Sequence, residues 1–103
     1  MKFRVLPEAI GEAISDSIWY DKRHRGLGDD FLNEVQAALA TIKTATHAMP
    51  KVEGYVGPHE VCRYLLKRFP YAIIVVRRPD ETPIVAIAHT RRRPLYWLRR
   101  LTS

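Results

Sequence analysis

The chain has 103 residues, 47% of them hydrophobic and 27% charged, which is length and composition for one globular domain and no more. No apolar run approaches the roughly 20 residues of a membrane span, and the lone Cys62 excludes a disulfide framework or a cysteine-based zinc cluster, so neither metal nor cofactor is expected. The net charge of +6 is split unevenly: residues 1–60 carry nine acids against seven bases, whereas residues 61–103 carry ten bases against Asp80 and Glu81, a +8 field that attracts phosphates or an acidic protein segment.

Met1 to Pro7 meets a proline and then acids before a signal-peptide core can form, which predicts a protein that stays in the cytoplasm. Lys2 to Leu6 alternates basic and apolar residues as a short half-buried strand does. Pro7 suits the first turn of a helix, where its missing N–H has no intrahelical partner, and Glu8 complements the helix dipole. Ile10, Ala13, Ile14, Ile18 and Asp21 keep helical spacing, with Glu12, Asp16 and Lys22 around the outside and Gly11 weakening the helix.

A basic connection, residues 22–28, contains Gly26 and Gly28 and reverses the chain. Asp29 and Asp30 then start a second helix whose Phe31, Leu32, Val35, Ala38, Leu39 and Ile42 give the strongest periodic signal in the sequence. The two helices should form an antiparallel hairpin with their apolar stripes against a sheet. His24 and His47, in the connections, read as solvated loop residues because no second ligand stands at metal spacing nearby. Between Ala45 and Glu60 the pattern lapses at Pro50, Gly54, Gly57 and Pro58.

From Val61 the β-branched and aromatic residues fill strand-length runs, joined at Phe69-Pro70 and at residues 79–82, and predict a three-strand antiparallel meander. Cys62 inside the first run reads as a small buried hydrophobe. The last run, Ile84 to His89, empties into Arg91-Arg92-Arg93-Pro94, after which Leu98 and Leu101 space one or two helical turns. The expected fold is α+β: one domain over residues 1–103, a helical hairpin on a small antiparallel sheet, order β-α-α-β-β-β with a short C-terminal helical tail.

Read with particular residues, this layout resembles the RelE/ParE toxin superfamily of type II toxin–antitoxin modules, in its ParE-like, plasmid-stabilisation branch. The resemblance covers nearly the whole chain. Its carriers are Trp19-Tyr20 at the end of the first helix, Leu27-Gly28-Asp29-Asp30-Phe31-Leu32 at the start of the second, the pair of strands from Arg63 to Ile73, and the ending from Ala88 to Trp97. It implies a cognate antitoxin encoded alongside and growth inhibition by the free toxin. Superfamily members that are nucleases cut messenger RNA on the ribosome without a metal, whereas the ParE-like branch poisons DNA gyrase by binding.

RNA cleavage needs a base for the 2′-hydroxyl, cations for the charged phosphorane and an acid for the leaving oxygen. The residues available are His89 as the base, Arg63, Arg68, Arg91, Arg92 and Arg93 as phosphate or target clamps, and Tyr96 as a stacking or proton-donating group. The same His89 reads equally as a structural hydrogen-bonding residue, and Tyr96-Trp97 as cover for the sheet edge. An acidic amphipathic antitoxin segment would meet Arg91, Arg92, Arg93 and Trp97. Three readings stay open: gyrase-directed toxin, ribosome-dependent endoribonuclease, and basic nucleic-acid-binding or inactive domain.

Overall fold

Alternating strand-forming and helix-forming stretches give β1 (Lys2–Val5), α1 (Pro7–Arg23), α2 (Leu27–Thr44), β2 (Glu60–Leu65), β3 (Tyr71–Arg77), β4 (Glu81–His89) and a C-terminal 3-10 helix (Leu98–Thr102). This computed structural model describes residues 2–44 and 49–102, so His47 lies outside the described residues. The element order is the one the sequence predicts. The sheet order is β1-β4-β3-β2, and while β2, β3 and β4 form the expected antiparallel meander, β1 joins β4 in parallel, with Lys2 opposite Glu81 and Val5 opposite Ile84. The sheet is therefore mixed rather than wholly antiparallel. The hairpin carries the chain over one face to β2 at the far margin, and the meander brings β4 back beside β1 in the same direction.

Helix α1 starts at Pro7, where φ is already set and no N–H is lost, with Glu8 in its first turn and Lys22 and Arg23 in its last. Its inward face corrects the sequence reading. Ala9, Ala13 and Ser17 are buried, whereas Ile10, Ile14 and Ile18 are 46%, 51% and 53% exposed. Small side chains win that face because α1 passes close to α2: a Cβ added to Gly28 would lie 2.2 Å from the Ser17 carbonyl oxygen. The Gly28 N–H donates to Asp21 Oδ1 at 2.7 Å, which anchors the turn, and α2 begins at Leu27, two residues before the aspartates. Phe31, Val35, Ala38 and Ile42 of α2 are buried as their spacing demands.

Strand alternation divides the buried residues into two cores. On the helix side Phe31, Val35 and Ile42 meet Cys62, Ile73, Val75, Ile84 and Ile87. Tyr20, Phe31, Phe69 and Tyr71 form an aromatic knot there, with the Phe31 and Tyr71 ring centres 4.6 Å apart. On the opposite side Leu6, Val61, Ile74, Val76, Val85, Ala86 and Ala88 pack with Trp97 and Leu101 of the C-terminal segment. A bulge sharpens this division: Ile74 pairs with Ala86 but Val75 with Ile84, so Val85 is the extra residue and shares a face with Ala86. Cys62 is fully buried, as expected of a small hydrophobe, and burial raises its thiol pKa.

Candidate functional site

The open face of the sheet holds a cavity of about 380 Å³. Its floor is Ala72, Ile74 and Ala88, small or flat residues from the two central strands, and its walls are Val52, Leu65, Leu95, Tyr96 and Trp97. Arg63, Arg92 and Arg93 stand around it, with Glu53 the single acid in the lining. An apolar floor under a cationic rim is suited to an amphipathic, negatively charged ligand. The rim exists because β4 ends at His89 beside the β2–β3 connection, so the arginine run that follows turns back across the face just above Arg63. Leu95 makes that turn with a φ of 62°, a left-handed conformation unusual for leucine and strained.

Of the residues singled out from sequence, Arg63, His89, Arg92, Arg93, Tyr96 and Trp97 all border this cavity. Arg68 and Arg91 stand apart from it. Arg68 sits on the β2–β3 turn, 3.7 Å from Asp30 and over the Phe69 ring, beside a second cavity of about 290 Å³ between that turn and α2. The turn is tied to α2 by Glu34, whose Oε2 accepts from the Lys67 and Arg68 N–H groups at 2.6 and 3.1 Å. Arg91 is exposed, and its N–H donates to His89 Nδ1 at 3.1 Å. The His89 ring packs edge-on against Tyr71, centres 5.1 Å apart, so its imidazole lies on the helix side of the strand and braces the turn out of β4. Trp97 is 3% exposed and offers a partner only the cavity wall.

Tyr96 does not stand alone. Its hydroxyl donates to Glu12 Oε2, and burial first, then this hydrogen bond, drive its pKa far above that of a free tyrosine. The Arg92 guanidinium lies over its ring at 3.9 Å. Glu12 is the hub of the site's supporting shell: Arg100 approaches both of its oxygens at 3.0 and 3.1 Å, Arg92 comes within 3.8 Å, and the Ile87 N–H donates to Oε1 at 3.0 Å. Arg100 also donates to the Val85 carbonyl at 3.0 Å. Beyond the end of β1 these two side chains satisfy the margin of β4 and lash the C-terminal segment to α1. Arg78 adds a tie at the other end, pairing with Glu81 at 3.1 Å and reaching the Leu101 carbonyl.

Sequence reasoning placed Glu12 on the outside of α1 and missed this hub. The signal lay in the run Ala9, Ala13, Ser17, which marks the close-packed face and puts Glu12 and Asp16 on its flank. Asp16 plays a parallel part, accepting from the Tyr71 hydroxyl at 2.8 Å.

The chain matches no protein-family model and no curated protein. Among solved structures it is similar to a chain of the "Chromosomal ParDE TA system from P. aeruginosa", with a TM-score of 0.72 and 11% identity over 88% of this chain and 97% of that one. The fold implied by the RelE/ParE resemblance is thus the fold the chain has: a two-helix hairpin over a four-stranded sheet, shared almost end to end with a chain of a ParDE toxin–antitoxin system.

Proposed function

We propose that this protein is the toxin of a type II toxin–antitoxin module, silenced by an antitoxin encoded beside it, and that it stops growth by binding DNA gyrase. The observation that supports this most is the cavity itself. It gathers three guanidinium groups over an apolar floor, which suits capture of an acidic amphipathic segment, while the Tyr96 hydroxyl that could serve as an acid is engaged by Glu12. The described α helices include none long and apolar enough to cross a membrane. The fold shared with a ParDE chain and the +8 charge of residues 61–103 favour the same reading.

A ribosome-dependent endoribonuclease is the second reading, favoured by one observation: His89 shares the border of that cavity with Arg63, Arg92 and Arg93. The two are separated by inducing the lone chain and reading DNA supercoiling and double-strand breaks beside codon-resolved message cleavage. Gyrase poisoning predicts breaks and relaxed plasmid with intact messages, reversed by co-expression of the neighbouring small open reading frame. Cleaved messages with normal supercoiling contradict the gyrase target, and a chain harmless at high expression contradicts the toxin.

A further inference from the structure

The outer face of α1 carries an apolar ridge that neither core covers. Ile10, Ile14 and Ile18 lie four residues apart along one row and are each about half exposed, at 46%, 51% and 53%. The neighbouring row is Pro7, Gly11 and Ser15, also exposed and of low profile, so a shallow groove runs beside the ridge. Gly11 is unexplained by the monomer: its φ is not positive, and a Cβ added there meets nothing within 4 Å. Gly28, by contrast, is demanded by the crossing of α1 and α2. A glycine in mid-helix weakens the helix, and at position 11 no contact within the chain requires it.

We propose that two copies of the chain associate through α1 about a two-fold axis near Ile14, the Ile10–Ile14–Ile18 ridge of each seated in the Pro7–Gly11–Ser15 groove of the other. Ridge and groove are adjacent rows of the i±4 kind on one helix, so the surface is complementary to itself, which is what a two-fold contact requires. Gly11 lets the partner's isoleucines approach the backbone. Charge agrees with the antiparallel sense: exposed Glu8 stands at one end of the face and exposed Lys22 at the other, so the two-fold sets the acid of each copy toward the base of its partner. Three half-exposed isoleucines per copy make a small contact, and the dimer is a reversible, concentration-dependent one rather than obligate. This association is independent of what the chain does to growth.

Sedimentation of the purified chain over a concentration series tests it. The wild type is expected to show a reversible monomer–dimer equilibrium, and Ile14→Asp and Gly11→Leu each to weaken it at least about tenfold with unchanged circular dichroism. Gly11→Leu is the sharper variant, because it should raise the monomer's thermal stability while it abolishes the dimer. Mild oxidation should link Ile14→Cys copies and leave Lys22→Cys copies unlinked, the native Cys62 being buried. A wild type that stays monomeric at every concentration overturns the proposal, as does a dimer indifferent to both substitutions. A monomeric wild type in which Ile14→Asp loses only antitoxin binding assigns the ridge to the antitoxin and overturns the second copy as its occupant.

Discussion

Glu12 shows how much one carboxylate can organise when its neighbours desolvate it. It meets Arg100 at 3.0 Å with the two side chains only 12% and 18% exposed, so removing it leaves a guanidinium with little water and no counter-charge. Glu12→Ala should cost about 3 kcal/mol in urea unfolding, whereas Arg68→Ala, which breaks an exposed pair, should cost under about 1 kcal/mol. Tyr71 and Tyr96 make a second residue-scale prediction. Burial, with the Asp16 and Glu12 hydrogen bonds behind it, raises both hydroxyl pKa values above the roughly 10 of an unfolded tyrosine. The unfolded chain therefore loses these protons first, and stability that is whole below about pH 10 declines as pH climbs past it. Thermal melts from pH 8 to 11 should show that decline, and Tyr71→Phe or Tyr96→Phe should flatten it.

At the scale of elements, a glycine pair tests how α1 is held. Gly28→Ala should lower stability by about 1–3 kcal/mol, because its methyl group would collide with the Ser17 backbone and the Asp21 carboxylate. Helix propensity alone predicts a gain, so the sign decides. The same helix shows where sequence legibility ended. The period of Phe31, Val35, Ala38 and Ile42 revealed α2 and its buried face, and the β-branched runs revealed the meander, because in both the largest apolar groups are the buried ones. In α1 the buried groups are the smallest, Ala9, Ala13 and Ser17, and hydrophobicity alone points at the exposed isoleucines. The parallel placement of β1 was equally illegible, since four residues cannot encode which neighbour they join across 75 positions of chain. Six of the eight site residues drawn from sequence do border one cavity, because an arginine run at the end of a strand has few places to go. Arg68 and Arg91 escaped by lying on the outer sides of the two turns.

For the molecule as a whole, the two faces of one sheet have separate duties. The helix face is closed by the hairpin and the aromatic knot, and the opposite face is half closed by Trp97 and Leu101, leaving the arginine-rimmed cavity as the part of the sheet open to a partner. Glu12, Arg100 and Arg78 hold the covering segment in place, so the rim is presented on a fixed frame rather than a loose tail. The central claim is that this rim is what the protein uses. It is tested most directly by growth after induction of the lone chain, wild type against an Arg63→Glu, Arg93→Glu double variant, with the melting temperature of each as control. The account predicts arrest by the wild type and normal growth with the double variant at a comparable melting temperature; equal arrest by both, or none by the wild type, would contradict it.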